Sequence, residues 1–279
     1  MKVHPVQLGK IQFGNPHSFV LIGGPCVIES EAAVLRHAEK IAQIAEKLKL
    51  PFVFKASYDK ANRSSLKSFR GPGLKKGLAI LGKVKKKFGL PVLSDVHCKE
   101  EIKQAQEVLD IIQIPAFLCR QTDLVVSAGK SRRIVNVKKG QFLSPWEIQN
   151  IIHKLEATGN RNILITERGV AFGYQNLVND FRAIPIIRGL GYPLVFDATH
   201  SVQLPGGEGS RTGGRPEFIP TLARCAVAAG ADALFLEIHE KPQAALSDGT
   251  NMLALNRLAP LLDVLIKIRH AVPILNGEP

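Results

Sequence analysis

Short apolar runs recur along the chain, each closed by a polar residue and most followed by a longer stretch with apolar residues at helical spacing. Phe19 to Ile22, Phe52 to Phe54, Pro91 to His97, Ile111 to Ile114, Arg133 to Val137, Ile163 to Thr166, Leu194 to Phe196 and Ala233 to Leu236 are short, partly β-branched and bounded by glycine or proline, which predicts buried strands. The stretches Glu31 to Leu48, Leu74 to Phe88, Lys99 to Val108, Pro145 to Ala157, Asn179 to Gly189, Glu217 to Ala229 and Met252 to His270 predict helices, with Ser30 and Ser144 as N-caps of the first and the fourth. Before them, Val6 to Phe13 alternates around Gly9 and predicts a short hairpin within residues 1–16 that plugs the bottom of the fold.

Eight near-continuous apolar strands alternating with helices predict an α/β fold, a parallel (β/α)8 TIM barrel with an N-terminal β-hairpin. An open doubly wound sheet competes, but no Gly-x-Gly-x-x-Gly follows the first strand, and a polar residue returns at every strand's carboxyl end. The length of 279 residues fits one barrel domain, and no linker or composition break divides it.

Charge changes this picture little. The net charge of +13 and pI near 9.7 raise nucleic-acid binding as a class. The run Lys83 to Lys87 nevertheless lies in an amphipathic helical pattern, and aromatics are only 6%, with none interleaved for base stacking. Small anionic substrates account for the excess, and no nucleic-acid partner is expected. No apolar run approaches the roughly 20 residues of a membrane span, and Met1 to Pro5 lacks the apolar core of a signal peptide, so a cytoplasmic protein with no membrane partner is expected. Cys26, Cys98, Cys119 and Cys225 are scattered without CxxC spacing, which excludes a zinc ribbon or a disulfide framework.

The chemistry follows from the barrel. Its strands' carboxyl ends meet around one mouth, which would gather Cys26, Lys55, Asp95, Gln113, Lys138, Arg168, His200 and Glu237. Gly23, Gly24 and Pro25 turn the chain so that the Cys26 thiol is presented at that mouth. Cys26, His200, Glu237 and the loop residue Asp248 form a thiolate, imidazole and carboxylate set suited to a divalent metal such as Fe2+, Zn2+ or Mn2+. Lys55, Lys60, Lys138 and Arg168 form a cationic set suited to a ligand with phosphate and carboxylate groups. Taken singly, each has a structural explanation, as a paired histidine or a snorkelling lysine; together they require too many coincidences.

Several stretches carry a resemblance: Gly24-Pro25-Cys26-Val27-Ile28-Glu29-Ser30, Phe54-Lys55-Ala56-Ser57, Lys60-Ala61-Asn62-Arg63-Ser64-Ser65, Asn136-Val137-Lys138-Lys139-Gly140-Gln141-Phe142 and Phe196-Asp197-Ala198-Thr199-His200-Ser201-Val202-Gln203. They resemble the 3-deoxy-D-manno-octulosonate 8-phosphate synthase family, over essentially the whole chain, and Cys26 resembles its metal-dependent class. The resemblance implies condensation of phosphoenolpyruvate with D-arabinose 5-phosphate and water, in lipopolysaccharide inner-core synthesis, by a homotetramer. It implies that Lys55, Lys60, Gln113, Lys138 and Arg168 hold phosphoenolpyruvate, and that Asn62, Arg63 and Ser64 take the aldose phosphate, Arg63 and Ser64 reaching from a neighbouring subunit. It further implies that Asp95 meets sugar hydroxyls and Ser57 belongs to the substrate-binding group, while Cys26, His200, Asp197 and Lys60 serve catalysis. Asp197, three residues before His200, is expected to orient it or relay a proton.

The alternative is the related synthase acting on erythrose 4-phosphate, whose second-strand loop reads Lys-Pro-Arg-Thr-Ser where this chain has Lys60-Ala61-Asn62-Arg63-Ser64-Ser65. A Schiff-base aldolase using Lys55 or Lys138 is a second competitor. The stretch Gly206 to Ser210, within residues 206–216, has the glycines of a movable lid.

Overall fold

In the computed structural model of the chain, residues 3–63, 65–208 and 211–272 are described, without the side chains of 207, 208, 211 and 212. β1 (Val6–Leu8) and β2 (Ile11–Phe13) pair antiparallel across a turn at Gly9. The beat of strand and helix then begins with β3 (Val20–Gly24) and α1 (Glu31–Lys47), β4 (Phe52–Lys55) and α2 (Leu74–Phe88), β5 (Val92–Asp95) and α3 (Lys99–Val108). It continues with β6 (Ile111–Ile114) and α4 (Thr122–Lys130), β7 (Ile134–Lys138) and α5 (Ile148–Glu156), and β8 (Ile163–Glu167). A small hairpin, β9 (Val170–Ala171) with β10 (Leu177–Val178), precedes α6 (Ala183–Gly189) and β11 (Leu194–Asp197). A flap, β12 (Gln203–Glu208) with β13 (Arg211–Gly214), precedes α7 (Ile219–Ala228); β14 (Ala233–His239), β15 (Leu253–Ala254) and α8 (Leu258–Ala271) follow. Parallel pairing runs from β3 through β8 to β11 in sequence order, β11 pairs with β14, and β14 pairs back onto β3, so the eight strands close into a (β/α)8 barrel.

Strand alternation divides the apolar residues into two layers. Leu21, Phe52, Phe54, Val92, Ile112, Val135, Ile163, Phe196 and Leu234 face outward, into the layer covered by the helices. Val20, Ile22, Val53, Leu93, Ile111, Ile134, Leu164, Val195 and Phe235 face inward, and Val6 and Phe13 of the hairpin join this inner cluster from below.

Helix ends follow local chemistry. Ser30 Oγ accepts from the Ala33 N–H at 3.2 Å to start α1, with Glu31 in its first turn and Lys47 in its last. Ser144 is not a cap: α5 starts at Ile148, after a turn in which the Ser144 N–H donates to Glu147 Oε2 at 2.8 Å. α4 goes beyond the periodicity reading; its buried Leu124, Val125 and Ala128 keep helical spacing, but the adjacent β-branched pair Val125 and Val126 and Gly129 obscure it. α6, α7 and α8 start later than the pattern predicts, the last two because short 3-10 turns at Pro216–Phe218 and Leu255–Arg257 take the residues before them.

Two glycines in α2 separate propensity from packing. A Cβ on Gly77 would lie 2.2 Å from Tyr58 Cβ, whereas one on Gly82 would meet only Val108 Cγ1, at 3.8 Å. Helix propensity favours alanine at both by roughly 1 kcal/mol, but at Gly77 an overpacking cost of about 1–3 kcal/mol outweighs it. Gly82→Ala is therefore expected to raise the denaturant midpoint and Gly77→Ala to lower it; equal effects would show that α2 does not press on Tyr58.

Candidate active site

The inward positions change character at one level of the barrel. Two residues beyond inward Val53, Leu93, Ile111, Ile134, Leu164, Val195 and Phe235 stand Lys55, Asp95, Gln113, Asn136, Thr166, Asp197 and Glu237, all buried. The same period places Lys138 above Asn136 and Arg168 above Thr166. Lys55 Nζ donates to Glu237 Oε1 at 2.7 Å and to the Cys26 carbonyl at 2.9 Å. Lys138 Nζ donates to Asp197 Oδ2 at 2.5 Å, and the same oxygen lies 2.7 Å from His200 Nδ1. Asp95 accepts from Ser57 Oγ at 2.6 Å and from the Gln113 amide. Arg168 Nη2 donates to the His200 carbonyl at 2.9 Å and to Gln203 Oε1 at 2.6 Å.

The sulfur of Cys26 and carboxylate oxygens of Glu237 and Asp248 lie within 4.8 Å of one another. Cys26 Sγ is 3.1 Å from Asp248 Oδ2 and 3.6 Å from Ser247 Oγ. The thiol is therefore buried beneath the 247–248 loop rather than open at the mouth as predicted. His200 is not part of this three-residue set: its Nδ1 is turned to Asp197, which leaves Nε2 3.8 Å from Glu237 Oε1. Glu237 Oε2 is buried with no partner, an acceptor left over in a place where a cation would satisfy it. With soft sulfur, carboxylate oxygen and a nearby imidazole, the donors fit a borderline divalent ion. Asp248 takes a left-handed backbone conformation, φ 49°, ahead of Gly249, where a Cβ would lie 2.3 Å from the Pro242 carbonyl. Glu29 Oε1 holds the same loop by accepting from the Leu246 N–H at 2.8 Å.

Above the ring lies a cavity of about 1310 Å3, lined among others by Lys55, Lys60, Asn62, Arg63, Asp95, His97, Gln113, Lys138, Arg168, His200, Glu237 and Asp248. The loop after β4 is closed on itself by the Asp59–Arg70 pair, 2.7 and 3.0 Å, and by Lys60 N–H to the Arg70 carbonyl at 2.7 Å. That closure presents Lys60, Asn62 and Arg63, whose buried Nε has no partner; Ser64 lies outside the described residues. Gln203, Pro205 and Gly206 of the flap line the cavity, in part where the sequence favours a mobile loop, and Gly209 and Ser210 lie outside the described residues.

Sequence reasoning passed over Asn136, Thr166, Thr199 and Gln203. Thr199 Oγ1 accepts from the Glu237 N–H at 2.8 Å. The period of two from an apolar inward residue would have found Asn136 and Thr166; Gln203 carries no such signal.

A family model described as the DAHP synthetase I family matches residues 2–272. A 2-dehydro-3-deoxyphosphooctonate aldolase of Geotalea daltonii is 58% identical over 260 residues, 93% of this chain and 96% of its own. Proteins of the same name from Trichlorobacter lovleyi and Pelobacter propionicus are 57% and 55% identical, over 92% and 96% of this chain and 94% and 98% of theirs. The chain belongs to the DAHP synthetase I family and, within it, to the 2-dehydro-3-deoxyphosphooctonate aldolases.

The electrostatics of this aldolase site turn on compensation. Burial alone would raise Glu237, but Lys55, then His200 and Lys60, outweigh it and hold the carboxyl well below the usual range. Asp95 is depressed likewise, its burial overcome by Lys55, Lys60 and Lys138, and Asp197, its burial overcome by His200 and Lys138. Burial, reinforced by Glu237, pushes the Cys26 thiol well up. Burial lowers Lys138 and Arg168 despite Asp197. Lys60 is raised: burial pulls it down, and Cys26, Glu237 and Asp248 together prevail.

Depressed carboxyls contribute stability that is present above their unfolded value near 3.8 and is lost as pH falls toward the folded value. Urea midpoints are therefore expected to drop below about pH 4, less steeply in Asp197→Asn than in the parent. An identical slope in both would show that Asp197 titrates as an ordinary carboxyl.

Proposed function

We propose that this chain condenses phosphoenolpyruvate with D-arabinose 5-phosphate and water, giving 3-deoxy-D-manno-octulosonate 8-phosphate and phosphate. The observation that carries the reading is the juxtaposition, in one cavity, of Lys55, Lys60, Lys138 and Arg168 with the Cys26, Glu237 and Asp248 donor set. Such a pocket suits a small ligand bearing both phosphate and carboxylate. The relatives' name, and Asn62 after Lys60-Ala61, favour the five-carbon aldose over erythrose 4-phosphate.

Lys138 and Arg168 hold phosphoenolpyruvate's anionic groups with Lys55, Lys60 and Gln113, fixing C3 of the enol for attack on the aldehyde carbon. Asn62 and Arg63 receive the aldose phosphate, with Ser64 from the same loop and, by resemblance, across a subunit boundary. Asp95 and Ser57 meet sugar hydroxyls. Cys26, Glu237 and Asp248, joined by Nε2 of His200, would hold Fe2+, Zn2+ or Mn2+, which when bound supplies Lewis-acid polarisation of the aldehyde and of water. His200 keeps its Nδ1 proton against Asp197, which leaves Nε2 as the lone-pair atom facing the cavity. Water adds at C2 as positive charge develops there, and phosphate departs by C–O cleavage.

The chain is proposed to act as one barrel domain in a cytoplasmic homotetramer on the lipopolysaccharide inner-core pathway. No helix among the described residues is long and apolar enough to cross a membrane. Exposed Phe142, Trp146, Phe172 and Tyr174 lie on loops joined by the Ala171 N–H to Gln141 carbonyl bond of 2.9 Å, an apolar surface of the kind subunits cover.

Purified protein is expected to turn over arabinose 5-phosphate faster than erythrose 4-phosphate; the reverse order would overturn the substrate assignment. Exhaustive chelation is expected to abolish turnover and Cys26→Asn to restore part of it without metal, whereas activity untouched by chelation would reduce Cys26 to a small hydrophobe. Lys138→Ala and Arg168→Ala each remove charge-assisted bonds of about 1.5–3 kcal/mol, a loss of roughly 10- to 150-fold in phosphoenolpyruvate affinity. Unchanged affinity would remove both from the site.

A further inference from the structure

Behind Asp95 runs a line of side-chain hydrogen bonds that joins Asp95 and Gln113 to Asn136 and Thr166, two residues with no role given above. The Gln113 amide donates to Asp95 Oδ1, Asn136 Nδ2 donates to Gln113 Oε1 at 2.9 Å, and Thr166 Oγ1 donates to Asn136 Oδ1 at 2.7 Å. The four residues sit on consecutive barrel strands β5, β6, β7 and β8, and Asn136 and Thr166 are fully buried. An ionised carboxylate only accepts, so Gln113 must point its NH2 at Asp95. Its carbonyl oxygen then requires a donor, which the Asn136 NH2 supplies, and the Asn136 oxygen in turn takes the Thr166 proton. The Asp95 carboxylate thus sets the direction of the whole line, and the Thr166 hydroxyl terminates it. One level down, the same strands carry Ile134 and Leu164, so the barrel itself has no need of polar groups here, and buried amides are costly unless each is paired.

We propose that Asn136 and Thr166 are positioning residues for the aldose: they lock the Gln113 amide, and through it the Asp95 carboxylate, in the orientation that meets the sugar hydroxyls. The proposal rests on the reading of Asp95 as an aldose contact and deepens it. Phosphoenolpyruvate is held chiefly by the charge-assisted bonds of the lysines and Arg168, which lie outside the line; Gln113 adds one neutral amide contact, so phosphoenolpyruvate affinity responds far less.

The test is steady-state kinetics with each substrate varied in turn, together with the thermal midpoint. Thr166→Val keeps the shape and removes only the donor; loss of one buried hydrogen bond is expected to raise KM for arabinose 5-phosphate about 10-fold, with KM for phosphoenolpyruvate within about twofold, and Thr166→Ser is expected to restore the parent value. Should Thr166→Val fail to fold, the double variant Asn136→Leu, Thr166→Val replaces both partners by apolar side chains and is expected to show the same selective rise. Unchanged aldose KM in the folded variants, or both KM values rising together as the midpoint falls, would overturn the proposal by showing a merely structural line. Asp95→Asn separates the two readings. If it leaves aldose KM unchanged, the aldose role of Asp95 fails and the positioning role with it; if it raises aldose KM while Thr166→Val does not, only the positioning role fails.

Discussion

Two buried ion pairs, Lys55 with Glu237 at 2.7 Å and Lys138 with Asp197 at 2.5 Å, constrain everything around them. Taking such ions out of water costs several kcal/mol each, and removing one partner of a buried pair costs about 3–5 kcal/mol. The barrel tolerates them because neighbouring groups are enlisted: the Cys26 carbonyl on Lys55, His200 on Asp197, the Thr199 hydroxyl beneath the Glu237 N–H. The apolar floor below, closed by Val6 and Phe13, contributes the burial that offsets the cost. The four cations Lys55, Lys60, Lys138 and Arg168 stand against four carboxylates, Asp95, Asp197, Glu237 and Asp248. A divalent ion on Glu237 and Asp248 would use up part of that negative charge, and the lysines would then attract anions more strongly. A cation and anionic substrates would in that case favour each other's binding through the same charges.

Much of this was legible because one rule generates it. In a strand buried on both faces the apolar run hides the alternation, but the polar residue closing the run exposes it. Val53 then Lys55, Leu93 then Asp95, Phe235 then Glu237 each step by two, so the closing residue must face the interior. Cys26, Lys138, Asp197 and His200 could be placed at one mouth on that basis, and the hairpin at the other end on the basis of its short alternation. Asn136 and Thr166 obey the same rule, but each lies two residues short of a cationic residue, Lys138 and Arg168, that carries the stronger chemical signal.

What escaped the sequence depends on contacts between distant segments. That Cys26 lies under Ser247 and Asp248, 221 and 222 residues away, follows from how the loop after β14 folds back, with Glu29 and Gly249 holding it. That His200 turns Nδ1 to Asp197 rather than toward the sulfur follows from a tight turn in which Asp197 Oδ1 also accepts the N–H groups of Thr199 and His200, at 3.1 and 2.8 Å. α4 and the late start of α5 escaped for a more local reason, since β-branched residues and an unused serine gave misleading helix signals.

The division of labour between strands and loops follows from rigidity. The proposed site residues Lys55, Asp95, Lys138 and Glu237 sit on barrel strands whose inward neighbours cannot move without opening the apolar interior, so they are fixed by packing as much as by hydrogen bonds. The residues proposed to take the aldose phosphate sit on a loop. Asn62 and Arg63 ride on a segment clamped at its base by Asp59 and Arg70, and Gln203, at the root of the flap, touches Arg168 at 2.6 Å. Arg168 therefore belongs to both systems: its backbone follows a barrel strand while its guanidinium grips Gln203 and the His200 carbonyl. An anion bound in the cavity would compete with Gln203 and the His200 carbonyl for that guanidinium.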